Sequence, residues 1–529
     1  MARGYLAFVL HAHLPFIRHP EYDSFLEETW LFEAITDTYI PLLRVFQGLI
    51  DDGVPFRLTV SLSPPLLAML DDDFLKARYL AHLRKMMKLG DKEIIRNHGD
   101  PRTTEVARMY RRLLHETEEW FVDRYNGDLI GAFRSMQEQG ALELITAAAT
   151  HGYLPILKTK PSSVRAQLQI AAQTYRRLIG QPLPGFWLPE CGYYPGLEDE
   201  VAAAGGRYFF VDTHGVQNAS MRPRYGYLAP LACANGVAAF ARDPASSRQV
   251  WSAHEGYPGD AWYRDFYRDV GFDADFAYVQ PYILDGHTRV FTGFKYFRIT
   301  GATEQKDPYE PERARERADV HADDFIRRQT EAAERFSPHM DRPPLIVVAL
   351  YDAELFGHWW FEGPQWLDYV IRKTAYDQST VELVTPSDYL SRHRRLQVAT
   401  PSACSWGDRG YSSFWLNPGN DWIYRHLHQA AGRMQAAAST HRQVPAGSPA
   451  ERALNQAARS LLLAQASDWA FIMKTGTAID YANQRIGDHL ARFHALMDAA
   501  DGDAIDSQML AALEAMDNIF PDINFRVYI

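Results

Sequence analysis

The chain has little cysteine, no surplus of positive charge and no long apolar run. Its three cysteines, Cys191, Cys233 and Cys404, are far apart and odd in number, which argues against a disulfide framework and a CxxC metal site and for a reducing, cytoplasmic setting. Lys and Arg number 55 against 66 Asp and Glu, a net charge of -11. Nucleic acids and anionic membranes select basic patches, so neither is expected as a partner. No segment approaches the roughly 20 uninterrupted apolar residues that span a bilayer. The opening MARGYLAFVLHAH breaks from a short apolar run into histidines instead of a small-residue cleavage site, so it reads as a first strand and not as an export signal. Neither a repeat of fixed period nor a long low-complexity tract is visible.

What is abundant is aromatic surface: 13% of the 529 residues, including 12 Trp, more than packing alone usually needs and well suited to stacking on ligands. Seven short apolar runs look like buried strands: YLAFVL from Tyr5, FRLTV from Phe56, LELIT from Leu142, GFWL from Gly185, RYFFV from Arg207, LIVVALY from Leu345 and VELVT from Val381. Helical stretches lie between most of them, which predicts an α/β chain with a parallel sheet closed into an incomplete barrel. The pattern loosens over residues 215–342, read as loops and helices inserted over the open face of the barrel. From residue 399 amphipathic helices dominate, so the expected division is a catalytic barrel over 1–398 and a helical domain over 399–529.

Each run leads at once to polar chemistry: YLAFVL to His11 and His13, LELIT to His151, GFWL to Glu190, RYFFV to Asp212 and His214, LIVVALY to Asp352 and Glu354, VELVT to Ser387 and Asp388. Strand C-terminal ends share one face in parallel α/β folds, so these groups are expected around one cleft. Glu190 in GFWLPECGYYP and Asp352 in ALYDAELFGHWWFEGP both stand among aromatics. One such acid is more often a satisfied structural carboxylate; two on one rim point to paired-carboxylate chemistry, one attacking an anomeric carbon and one protonating the departing oxygen.

These stretches, with HAHLPF, ALELITAAATHGYLPIL and VTPSDYL, resemble the successive signature regions of glycoside hydrolase family 57. The WLPE and HWWFEG wording is most similar to its 1,4-α-glucan branching enzymes, and the C-terminal SWGDRGYSSFWLNPGNDWIYRHL and SDWAFIMKTGTAIDYA resemble the same subgroup. The resemblance implies an incomplete (β/α)7 barrel with a C-terminal helical domain, Glu190 as nucleophile, Asp352 as general acid/base, an α-glucan substrate and no metal or other cofactor. It further implies that His11, His13, His151 and Trp187 line the subsite of the attacked glucose, and that Trp406, Trp415 and Asp468 hold a glucan chain. A transfer-promoting loop tyrosine has its nearest candidates in Tyr225 and Tyr227. A 4-α-glucanotransferase or α-amylase of the same family, or a non-catalytic glucan-binding homologue, remains an alternative. Oligomeric state is left open.

Plainer readings stand beside these. His11 and His13, two apart on a strand, face the same side and could hold a divalent metal, although no nearby Asp completes a ligand set in the sequence. Trp359 and Trp360 cannot both face one cleft, so the pair is partly core; either one can be the ring that stacks on sugar, and Trp360 is taken as the candidate. Trp406 and Trp415 could anchor the helical domain instead of touching sugar. The charged run from Pro311 to Glu331 reads as a solvated helix face. Cys191, beside Glu190, has no base partner and is discounted as a nucleophile.

Overall fold

Strand β1, Gly4–Ala12, is buried along nearly its whole length, as a strand covered on both faces requires. The structure, a computed structural model, describes all residues other than 1, 253, 254, 342 and 503; residue 342, which closes the expected insertion, lies outside them. β1 pairs in parallel with β2, Leu58–Leu62, and with β7, Leu345–Asp352, and β2 pairs in parallel with β3, Leu142–Ile145. The GFWL segment makes only bridges, Thr146 to Phe186 and Phe186 to Phe209. It thereby joins β3 to β4, Tyr208–Val211, which pairs in parallel with β6, Ala238–Ala241. Just past β6, the Asp243 N–H donates to the Val348 carbonyl of β7 at 2.9 Å, and the ring closes. Counting the Phe186 segment, the wall has seven staves, irregular where that segment replaces a regular strand.

One of the seven expected runs is not a stave. VELVT forms β8, Val381–Leu383, which pairs with the start of β1 from Gly4 to Leu6. The true seventh is the Ala-rich AAFA of β6, inside the stretch expected to be insertion. β5, Leu231–Ala232, runs antiparallel to β6 and parallel to β9, Gln397–Val398, extending the wall at its edge. Ser387 and Asp388 accordingly sit at the opposite end from the rim: Asp388 pairs with Arg57, just before β2, at 2.7 Å and caps the helix Pro386–Arg392. The charged helix Pro311–Phe336 lies along the wall, with Ala314, Ala318, Ala322 and Phe325 buried and Phe325 against Phe8 of β1. Its outer face is the solvated one, and it covers the barrel's side, not its mouth.

Alternation along the staves divides the core in two. Leu6, Phe8 and Leu10 face the surrounding helices, while Ala7 and Val9 face inward with Ile145, Trp187, Phe210, Phe240, Ile346, Val348 and Leu350. Two residues further along the same inward rows come His11 on β1 and Asp352 on β7, paired in register. The barrel interior is thus an apolar plug with chemistry on top.

Past β9 the chain is helical, with Trp422–Thr440, Pro449–Ala464, Ser467–Thr475, Ile479–Asp501 and Ser507–Met516. It returns to the barrel mouth twice, through the Tyr193–Cys404 and Gly152–Ala466 bridges. Among the described residues no helix is long and apolar enough to cross a membrane.

Candidate active site

The rim grows directly out of the strand periodicity. His11 and His13 point the same way from β1, their rings 5.6 Å apart, and each is held by a serine of β2 or just beyond it: His11 Nδ1 to Ser61 Oγ at 3.1 Å, His13 Nδ1 to Ser63 Oγ at 2.9 Å. His151 joins them, its Nε2 3.0 Å from that of His11 and its ring stacked on His13 at 3.9 Å. Beneath, Trp187 lies flat against His11, centroids 4.5 Å apart, and is fully buried. It supports the histidines as the top of the apolar plug, which corrects its expected contact with sugar.

Glu190 enters from the Phe186 stave on a sharp turn, with φ of 61° at Glu190 and 49° at Cys191; His151 is also left-handed, at 56°. Side chains other than glycine pay roughly 1–3 kcal/mol each for such backbone, which persists where surrounding structure over-determines it. That structure is the C-terminal part of the chain. Trp406 Nε1 donates to Glu190 Oε2 at 2.9 Å and Ser467 Oγ to Oε1 at 3.0 Å, while the backbone N–H groups of Trp406 and Ser467 bond the carbonyls of Glu190 and His151.

Glu190 and Asp352 line one cavity of about 460 Å³, together with His11, His13, His151, Glu354, Arg242, Trp406 and Asp468. Burial lifts Glu190 from 4.5 to about 7, with the Asp468 charge adding to the rise and the Trp406 and Ser467 hydrogen bonds opposing it. Asp352 is driven further, well above the carboxylate range, by burial and then by the charges of Glu354 and Glu190, against Arg242. Two carboxyls, both raised by burial and by neighbouring carboxylates, therefore face one space, which suits one as proton donor and the other as the ionised group. Cys191 is buried and its thiol pushed well up, as its dismissal as a nucleophile anticipated.

Asp468 meets His13, Oδ1 to Nε2 at 3.1 Å. Burial alone would lower His13, but Asp468 raises it on balance; His11 and His151 are held neutral by burial. His13, His151 and Asp468 thus form a set close enough for a cation, with the acid that the sequence did not reveal. All four ring nitrogens of the two histidines are already engaged, by Ser63, Asp468, His11 and Ser467, so a cation would have to break this network.

Of the remaining expected contacts, Trp406 lines the cavity. Trp415 does so with its ring stacked on Tyr153 at 4.5 Å and almost wholly buried, so it also ties the C-terminal part to the barrel. Trp360 is core, 2% exposed, while Trp359 is 53% exposed, lines the cavity and stacks on Phe266 at 4.3 Å; the backbone between them turns the two indoles to opposite sides. Neither tyrosine candidate reaches the cavity: Tyr225 accepts from the Asp341 N–H, and Tyr227 lines a separate cavity with Asp243 and Arg248. Further residues of the lining and its supports stand outside the expected set. Ser467 and Phe471 are the two ends of the quoted SDWAF run that holds Asp468; Arg242 follows the overlooked strand β6; Trp251, at the mouth, carries no local signal.

The profile described as glycosyl hydrolase family 57 matches residues 7–401. The chain belongs to glycoside hydrolase family 57. Within family 57, a second profile, that of the 1,4-alpha-glucan branching enzyme C-terminal region, matches residues 426–528. A 1,4-alpha-glucan branching enzyme of Thermococcus kodakarensis is 34% identical over 100% of this chain and 79% of its own. Among solved structures, an alpha-amylase from Thermotoga maritima superposes with a TM-score of 0.92 at 43% identity, covering 99% of each chain. A family 57 branching enzyme from Pyrococcus horikoshii gives 0.89 at 34% identity, covering 99% of this chain and 97% of its own.

Proposed function

We propose that the protein is a 1,4-α-glucan branching enzyme working by retaining double displacement. The observation that carries the chemistry is the pair Glu190 and Asp352 on one cavity, both raised by burial. Glu190, ionised and aligned by Trp406 and Ser467, attacks the anomeric carbon while Asp352 protonates the departing 4-oxygen. Asp352 then takes the proton of an incoming 6-hydroxyl, whose oxygen displaces Glu190 and leaves an α-1,6 link. His13, paired with Asp468, and neutral His11 and His151 offer hydrogen bonds to sugar hydroxyls; Trp359 and Phe471 offer stacking faces at the mouth. The match of residues 426–528 to the branching enzyme C-terminal region favours transfer to sugar over transfer to water. A glycogen-like polymer in the cytoplasm is the proposed setting.

Hydrolysis is the second reading, favoured by the 43% identity to a protein described as an alpha-amylase and by the absence of Tyr225 and Tyr227 from the cavity lining. Incubation with amylose, followed by proton NMR, separates the two. New α-1,6 anomeric signals without a matching rise in reducing ends support branching. Reducing ends alone would remove it.

A further inference from the structure

The catalytic cavity is not the largest. A second, of about 540 Å³, opens between the helices Ile40–Asp51, Asp73–Arg96 and Pro101–Glu119, the loop at residues 291–294 and the start of the helix Gly363–Tyr376. Its volume lies in the range of small-molecule sites. Phe32, Tyr110, Trp120, Phe291 and Phe361 supply aromatic wall.

Most ionic groups of the lining already have partners: Asp368 pairs with Arg372 within the lining, while Arg44 pairs with Glu116 and Asp37 with His358 behind it. Three polar groups have none. The Glu33 carboxyl has no hydrogen-bond partner, and His82 Nδ1 and Arg264 Nε are buried without one; Arg264 is only 6% exposed. Burial holds Glu33 at about 7 and His82 at about 4, so near neutral pH the carboxyl can donate as well as accept, and the imidazole is uncharged. Aromatic faces with a few unspent donors and acceptors, and charge balanced within the wall, suit a neutral polyhydroxylated ligand. A phosphate would find no free cation pair, and a hydrocarbon would leave the three groups unpaired.

The two cavities share a wall. Asp37, on the lining, accepts from His358, Oδ2 to Nδ1 at 3.1 Å, and His358 precedes Trp359 at the catalytic mouth. Arg264 also reaches the His358 carbonyl, at 3.4 Å. Two residues beyond Asp37 on the same π-helical turn, Ala34–Tyr39, the Tyr39 hydroxyl bonds Glu354 inside the catalytic cavity. Such turns inside α-helices are frequent at functional sites.

We propose that this second cavity binds a short α-1,4-linked glucan segment, as a non-catalytic sugar site adjoining the catalytic one. The choice of glucan rests on the α-glucan reading of the catalytic cavity. Occupancy would keep a chain beside the site between encounters, raising its effective concentration there.

Gly48 gives a selective block. It lines the cavity, and a Cβ added there meets nothing within 4 Å, so a side chain can start there and Gly48→Phe puts a ring on the cavity wall. Maltohexaose is titrated calorimetrically into the full chain carrying Glu190→Gln, to prevent turnover, and into Glu190→Gln/Gly48→Phe. Two sites are expected in the first and one in the second. One site in both would overturn the second site and leave the catalytic reading standing; no heat in either would remove the α-glucan reading and this proposal with it. Should Gly48→Phe not fold, hydrogen exchange on Glu190→Gln alone decides: maltohexaose is expected to slow residues 113–117 and 291–294, and protection confined to the catalytic rim would refute the site. Glu33→Gln, which keeps the shape, should weaken the second site about tenfold or less and leave the first unchanged.

Discussion

Removing one donor from Glu190 should move the acid limb of the activity profile by a calculable amount. Trp406 Nε1 lies 2.9 Å from Glu190 Oε2 and opposes the burial that lifts this carboxyl to about 7. A hydrogen bond to a charged group contributes about 1.5–3 kcal/mol, and 1.36 kcal/mol corresponds to one pKa unit, so Trp406→Phe should raise Glu190 by about one to two units. The sign is fixed by the mechanism: the attacking group must be ionised, so a higher pKa costs activity on the acid side. At pH 6 a shift of one unit lowers the ionised fraction, and with it kcat/KM, about tenfold; at pH 9 the loss nearly vanishes. Initial rates from pH 5 to 9 on a soluble maltooligosaccharide give the limb directly, and its position is independent of any change in sugar affinity caused by the smaller ring. Ser467→Ala, which removes the other donor at 3.0 Å, should shift the limb the same way by a similar or smaller step. A limb that stays in place, or moves to lower pH, in both variants would refute the assignment of Glu190 as the group that must ionise.

Other consequences are independent of that profile. Asp352→Asn should lower turnover by at least about 10³-fold with little change in sugar affinity, measured by steady-state kinetics and calorimetry. Glu190, raised from 4.5 to about 7 on folding, favours the folded state below pH 4.5 and loses that contribution as pH rises through 7; Glu190→Gln should therefore raise the unfolding free energy at pH 8 by something on the order of 1–3 kcal/mol, and leave it unchanged at pH 4, in denaturant titrations at the two pH values. Trp359→Ala should raise KM several-fold without affecting Tm, since its ring is 53% exposed. Trp360→Ala, at 2% exposure, should instead cost about 3–5 kcal/mol of stability in denaturant titrations.

The rows that carry the chemistry were legible because strand periodicity continues past the end of the apolar run. Ala7, Val9, His11 and His13 are one inward row, and Ile346, Val348, Leu350 and Asp352 another. Hence the barrel, the histidine pair and the two acids could be anticipated. Miscounts came where local composition and tertiary role diverge. Ala238–Ala241 is too short and alanine-rich to announce a strand, whereas Val381–Leu383 has strand composition but pairs only at the foot of β1. Aromatic identity did not reveal facing either: Trp187 and Trp360 are core, Trp359 is open, and only the turn after β7 decides between the last two. The Asp468 partner of His13 is 455 residues away, and no local pattern encodes such a meeting.

The central claim is that Glu190 becomes covalently bonded to sugar while Asp352 handles the proton. It is tested most directly by incubating Asp352→Asn with a maltosyl fluoride, whose departing fluoride needs no acid, and mapping the trapped adduct by peptide mass spectrometry. The account predicts a maltosyl ester on the peptide that contains Glu190, absent when Glu190→Gln is added. A label on any other residue, or an adduct that survives Glu190→Gln, would contradict it.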